Sequence, residues 1–174
     1  MADPGPSGLV VREETAGDAE ALRGLLEPAF GGPAEAQLVD DLHADGDVLV
    51  SLIAEIDGVI AGHILFSRLP IASGGSTQRA AALAPLAVAP AWQGRGVGSR
   101  LTQDGIEACR RLGLDGIVVL GAPALYGRFG FTAAAAASIR SIYAGGPAFM
   151  ALTLRPGLTL EGEARYAPAF AALG

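Results

Sequence analysis

Apolar positions along the chain change their spacing several times, and each change marks an element. Leu9 to Arg12 is short and carries two valines, which predicts a first strand. Leu22, Leu25 and Leu26 recur at the spacing of one helix face, so a helix is expected to run toward Phe30, capped by Thr15 or Asp18. Gly31-Gly32-Pro33 breaks it, and Pro33 suits the first turn of a second helix ending near Asp45. The Gly46-Asp47 turn leads into Val48 to Ile56, which alternates as a strand does. Asp57-Gly58 is a two-residue hairpin signal, and Val59 to Phe66 returns beside the strand before it.

Ser73-Gly74-Gly75-Ser76 reads as a flexible loop. Ala80 to Val88 follows as a further strand despite alanine's poor strand propensity. Pro85 cannot donate to a ladder, so it belongs at a bulge or where the strand has parted from a neighbour. Gly96 to Leu112 is a helix with Val97, Leu101, Ala108, Cys109 and Leu112 on one face and Arg100, Glu107 and Arg111 outside. Gly113 stops it. Ile117 to Leu120 is a buried strand, Pro123 to Arg128 a short helix or turn, Phe149 to Leu154 another strand, and a terminal helix is expected from Tyr166. The order β-α-α-β-β-β-α-β-α-β implies a mixed sheet with helices on both faces.

Composition narrows the class. A chain of 174 residues, 51% hydrophobic, fits one domain over residues 9–174 after a Pro/Gly-rich start, 1–8, that is expected to be disordered. The net charge of −6 argues against nucleic acid or an anionic membrane as the main partner. The single cysteine, Cys109, excludes an intramolecular disulfide and suits a reducing compartment. Met1 to Gly8 lacks a basic start and an apolar stretch, and no segment offers about 18 uninterrupted apolar residues. A soluble, cytoplasmic protein is expected. The two histidines lie far apart and make no metal site.

The sharpest chemical feature is Val88-Ala-Pro-Ala-Trp-Gln-Gly-Arg-Gly-Val-Gly-Ser99, a glycine run between a strand and a helix. Glycines at 94, 96 and 98 let the backbone approach a ligand closely, and the helix start adds unpaired N–H groups and the positive dipole end. That arrangement suits a phosphate or pyrophosphate, with Arg95 and Arg100 able to add charge. A P-loop ends Gly-Lys-Ser/Thr, and this chain has no lysine. A dinucleotide fingerprint fits poorly, because its third glycine falls where Ser99 stands and the unit follows the fourth strand.

Gln93-Gly94-Arg95-Gly96-Val97-Gly98 resembles the Gln/Arg-x-x-Gly-x-Gly/Ala loop of the GNAT acyltransferases. Leu86-Ala87-Val88 and Pro90 precede the loop as in many bacterial members, and Tyr126-Gly-Arg-Phe-Gly130-Phe131 resembles their Tyr-x-x-x-Gly-Phe segment. The tail Ala164-Arg165-Tyr166-Ala-Pro-Ala-Phe170 is similar to the end of one group of bacterial GNAT proteins, so the likeness spans roughly residues 9–170.

The resemblance implies an α/β (α+β) fold with a mixed, mostly antiparallel sheet splayed between strands 4 and 5 and helices on both faces. It implies acetyl-CoA as co-substrate, no metal, and an acceptor that is a small-molecule amine or a protein amino group, with a homodimer compatible. By the same resemblance Leu86, Ala87 and Val88 would meet the pantetheine arm, with a backbone N–H near Leu86 or Ala87 polarising the thioester. Gln93, Gly94, Arg95, Gly96, Val97, Gly98 and Ser99 would hold the pyrophosphate. Tyr126 matches the tyrosine that protonates the departing sulfur. Many relatives place a glutamate on the fourth strand, where this chain has Leu83, Ala84 and Pro85, so the base is open. His63 is the first candidate, able to titrate near neutrality, although a hydrogen-bonded core histidine is the commoner environment. Glu55 and His43 are weaker candidates, and Cys109 is expected in the core. Two alternatives stand beside acyl transfer: a CoA-binding module without turnover, and an oxidoreductase that would bind NAD instead.

Overall fold

A computed structural model describes residues 5–173. Its frame is a sheet laid down by two tight hairpins. Strand β1 (Leu9–Glu13) pairs antiparallel with β2 (Val48–Ile56), and β2 turns through Asp57-Gly58 into β3 (Val59–Ser73). Both turn residues have positive φ, 53° and 76°, the mirror-image turn whose twist matches the flanking strands. The second hairpin is tighter than the sequence suggests. Ser73 to Ser76 is not a flexible loop: β3 extends to Ser73, β4 (Ser76–Val88) starts at Ser76, and Gly74 and Gly75 make the turn at φ 49° and 90°. Hydrophobic pattern fades toward these strand ends, so the ladder's extra length is carried by backbone pairing that alternation does not register.

Between β1 and β2 lie helices α1 (Ala19–Phe30) and α2 (Ala34–Ala44), joined through Gly31, whose φ of 73° closes the first helix. Leu22, Leu25 and Leu26 of α1 and Leu38, Val39 and Leu42 of α2 bury against one face of the sheet. Helix α3 (Val97–Arg111) covers the other face with Val97, Leu101, Ile106 and Cys109. Leu112, expected on that buried face, instead stands 46% exposed just past the helix end, where the stripe has rotated away from the sheet. Gly105 takes its place in the packing. A Cβ there would lie 2.3 Å from Cε2 of Phe66, so the helix lies directly on that ring.

The crossover through α3 delivers β5 (Gly116–Leu120) parallel to β4, and β7 (Phe149–Thr153) completes the order β1-β2-β3-β4-β5-β7. Short α4 (Pro123–Tyr126) follows β5. Two short strands lie outside the sequence expectation: β6 (Ile139–Arg140) pairs with β8 (Gly162–Ala164), and β8 with β3. Two- and three-residue strands carry no readable period. The expected terminal helix is a 3₁₀ segment, Pro168–Leu173, seated by Ala169 and Phe170. At the start, residues 1–4 of the expected disordered segment lie outside the described residues, while the Leu9 N–H donates to the Pro6 carbonyl at 3.2 Å.

One irregularity positions the site. β4 and β5 pair only at Ala80↔Gly116, Ala81↔Ile117 and Ala82↔Val118, and then diverge. Just beyond, Ile64 faces Leu86 and Phe66 faces Leu83, so Ala84 and Pro85 oppose Leu65 alone. That is a β-bulge at Pro85, where the missing donor requires one.

Candidate functional site

Beyond the bulge β4 keeps a partner on one side only. The Ala89 N–H donates to the Ala61 carbonyl at 2.8 Å, which fixes the alternation of the antiparallel ladder. Ala87, opposite His63, therefore turns its N–H and C=O toward β3, and Leu86 and Val88 turn theirs into the gap left by β5. Of the two residues considered for a polarising N–H, only Leu86 aims it into the gap. The Val88 carbonyl accepts from Nε2 of Gln93 at 3.1 Å, folding the glycine loop back onto the end of the strand.

The loop itself is built for close approach. Gly94 and Gly96 have φ of 73° and 87°, and Gly96 caps α3 in the left-handed conformation. Val97, buried, anchors the first turn, and the Arg100 N–H is the first to find a helical acceptor, at Gly96. The N–H groups of Val97, Gly98 and Ser99 thus open the helix without i−4 partners. The Arg95 guanidinium lies 5.3 Å from the Trp92 ring centroid, while Nε of Arg100 donates to Asp104 at 2.9 Å.

Tyr126 sits at the end of α4, 8% exposed, edge-on to Phe131 with ring centroids 5.8 Å apart. Gly121 leaves room for it: a Cβ there would lie 2.6 Å from Cε2 of the ring. Burial pushes the phenol's pKa upward. A cavity of about 290 Å³ opens where β4 and β5 part. Ala82, Ala84, Val118 and Leu120 form its strand walls, and Tyr143, Tyr166 and Phe170 close it from the C-terminal segment. These three rings pack edge to face, Tyr143 to Tyr166 at 5.0 Å and Tyr166 to Phe170 at 5.3 Å.

His63 is elsewhere. It is fully buried and does not line that cavity. Its Nε2 lies 2.8 Å from the Ser51 hydroxyl and 3.5 Å from Oε1 of Glu14, and its Nδ1 is buried without a partner. Ser51 donates to Glu14 at 2.5 Å, and Nε2 of His43 reaches the same oxygen at 2.9 Å. Burial alone would raise the Glu14 pKa, but contacts from His63, Ser51 and His43 outweigh it and hold the carboxyl at about 2. Glu55 is engaged by Arg12, whose Nε donates to it at 2.6 Å while both NH groups fork onto Asp18 at 2.8 Å. The hydrogen bonds from Arg12 hold the Asp18 carboxyl far below the usual range. Cys109 is buried in the core, its thiol pushed up to about 12 by desolvation.

The structure thus gathers Leu86, Val88, the loop at 93–99 and the gap at one end of β4; His63 pairs with Ala87 across the ladder but bonds to Ser51, and neither it nor His43 nor Glu55 lines the cavity. Sequence reasoning missed Glu14 and Ser51, whose roles depend on partners on other strands, and the ring cluster of Tyr143, Tyr166 and Phe170. The aromatic spacing of the tail was the one available signal for the latter. Among the described residues no cluster of metal-ligating side chains occurs, and no helix is long and apolar enough to cross a membrane.

The model of the acetyltransferase (GNAT) family matches residues 19–131. The uncharacterised N-acetyltransferase YhbS of Escherichia coli K12 is 36% identical over 138 residues, 79% of this chain and 81% of that one. A second, YjhQ of the same organism, is 41% identical over 116 residues, 66% of this chain and 64% of that one. The crystal structure of Escherichia coli YhbS in complex with CoA superposes with a TM-score of 0.87 at 33% identity, covering 100% of this chain and 97% of that one. A GNAT family acetyltransferase from Brucella melitensis in complex with acetyl-CoA gives 0.77 at 34% identity, over 93% and 97%.

Proposed function

The chain belongs to the GNAT family of acetyltransferases, and from that premise we propose that acetyl-CoA lies along the open edge of β4 with its pyrophosphate on the loop at 93–99. The activity is acetyl-CoA-dependent transfer of an acetyl group to an amine. The observation that carries the placement is the parted edge of β4 running straight into the glycine loop. Leu86 and Val88 offer the pantetheine amides the backbone partners that β5 has withdrawn. Gly94 and Gly96 let the chain approach the pyrophosphate, whose charge meets the N–H groups of Val97, Gly98 and Ser99, with Arg95 in the same loop.

In the reaction the amine nitrogen attacks the thioester carbonyl carbon, the carbon–sulfur bond breaks, and the amine's proton leaves to solvent. The Leu86 N–H, turned into the gap, stabilises the oxyanion in this reading. Tyr126 stays protonated at neutral pH because burial raises its pKa. It is then a weaker acid than a thiol of pKa near 8.5, so it serves the departing sulfur by a hydrogen bond rather than by complete transfer. His63 as base is supported by its ionisable ring and its link to Glu14, but its burial puts any such action at one remove. A small-molecule acceptor suits a cavity of about 290 Å³ better than a protein amino group. The buried, unpaired Cys109 supports a cytoplasmic location.

The test is Tyr126→Phe, followed by acetyl-CoA binding and by free-thiol release with amine. Unchanged binding with turnover slowed roughly 10- to 150-fold, the worth of about 1.5–3 kcal/mol for a hydrogen bond to a charged group, is expected. Turnover as fast as wild type removes Tyr126 from the chemistry. Binding without turnover on any amine would favour the non-catalytic module.

A further inference from the structure

The cavity beside the β4–β5 gap has a chemistry of its own. Every side chain lining it is uncharged at neutral pH. Three aromatic rings form its outer wall, and Leu120 and Leu173, 53% and 40% exposed, stand at its rim. Its volume, about 290 Å³, fits a single ring with a short substituent and excludes an extended peptide. Burial holds the Tyr166 hydroxyl protonated, with its pKa at about 12, so this wall presents rings and a neutral hydroxyl and no anion.

An uncharged pocket discriminates among amines before any chemistry begins. A lysine-like amine of pKa about 10.4 is neutral in roughly one molecule in 2,500 at pH 7. Its ammonium form cannot attack, and bringing it into an apolar pocket without a carboxylate is unfavourable. The usual remedy is a base at the reacting nitrogen. Here the fourth strand carries Leu83, Ala84 and Pro85, Glu55 is held by Arg12, and Glu14 and His63 are engaged with Ser51 outside the cavity. An amine whose lone pair is delocalised into an aromatic ring needs no such base, because it is uncharged at neutral pH, and its flat ring complements edge-to-face neighbours.

We propose that the acceptor is a weakly basic aromatic amine, held in the cavity of Tyr143, Tyr166 and Phe170 with its nitrogen turned toward the β4–β5 gap. The nitrogen–carbonyl bond forms, the carbon–sulfur bond breaks, Tyr126 supports the thiolate, and the nitrogen's proton passes to solvent without a protein base. The inference rests on acetyl-CoA occupying the gap.

The experiment follows thiol release from acetyl-CoA at pH 6–9 with aniline, benzylamine and cyclohexylamine. Aniline and benzylamine share the ring and differ in basicity, and cyclohexylamine lacks the aromatic face. The expected result is a kcat/KM for aniline above that for benzylamine at pH 7, where most benzylamine is protonated. Aniline's rate should be flat with pH, and benzylamine's should rise about tenfold per unit as its neutral fraction grows. Tyr166→Leu and the milder Phe170→Leu, with folding checked by thermal melting, should each raise KM for aniline while leaving acetyl-CoA affinity unchanged. Benzylamine or cyclohexylamine matching aniline at pH 7, or no turnover of aniline by a protein that binds acetyl-CoA, would overturn the proposal. Failure to bind acetyl-CoA would instead remove the reading of the gap on which it stands.

Discussion

Gly105→Ala is a one-methyl change whose sign the packing decides. In an exposed helix the replacement stabilises by about 1 kcal/mol, since alanine is the better helix former. At position 105 the new Cβ would lie 2.3 Å from Cε2 and 2.6 Å from Cζ of Phe66, distances no carbon pair tolerates. Phe66 has no room to yield: it is fully buried on β3, opposite the bulged part of β4. At 2.3 Å the overpacking falls in the upper part of its usual range, about 2–3 kcal/mol, so the net change should be a destabilisation of roughly 1–2 kcal/mol. For a domain of this size that lowers Tm by about 2–8 °C. Gly24→Ala in α1 is the internal control, because a Cβ there meets nothing within 4 Å, and it should raise Tm. Phe66→Leu, destabilising alone, should cost less in the Gly105→Ala background, and a double-mutant cycle by thermal or urea unfolding reads that coupling. If Gly105→Ala melts at or above wild type, α3 does not lie on Phe66 as described. Because α3 begins at the glycine loop, the same variant should also weaken acetyl-CoA binding.

Gly96→Ala forces a side chain into a φ of 87°, so it should lose about 1–2 kcal/mol of loop stability and raise the acetyl-CoA Kd roughly 5- to 30-fold by calorimetry. Glu14 has a folded pKa of about 2 against an ordinary 4.5, so its stabilisation is complete above pH 4.5 and is lost as pH falls through 2. Urea unfolding between pH 2 and 5 should show that loss, worth about 3 kcal/mol, and Glu14→Gln should flatten the dependence by destabilising the protein at neutral pH instead.

What could be read in advance follows the range of the interactions involved. Pro85 announced the bulge because a missing donor is a local fact, and the structure places Ala84 and Pro85 against Leu65 alone. The Asp57-Gly58 hairpin and the Gly96 start of α3 are equally local, set by which residues tolerate positive φ. Leu112 failed for a related reason: a periodic stripe gives the face of a helix but not how far along its axis the sheet extends. The Glu14 cluster was invisible because its members come from positions 14, 43, 51 and 63 and meet only when β2 pairs with β3 and α2 folds over them. No single segment of the sequence holds that information.

The same distinction separates the two halves of the function. In the proposed reading cofactor recognition uses backbone groups, at Leu86, Val88 and the helix start, so it needs only glycines and a parted strand, and both leave marks in sequence order. The proposed acceptor cavity draws its side chains from four separate segments. Ala82 and Val118 are cross-strand partners, while Tyr143 and Tyr166 are brought to them by the short β6–β8 pairing that anchors the tail against β3. That pairing involves two residues of β6, and its strength comes from place rather than composition. A change in the tail can therefore remodel the acceptor pocket while leaving the glycine loop untouched. Acceptor choice should accordingly vary among proteins that keep the loop, and variants at 143, 166 and 170 should shift KM for the amine without shifting acetyl-CoA affinity.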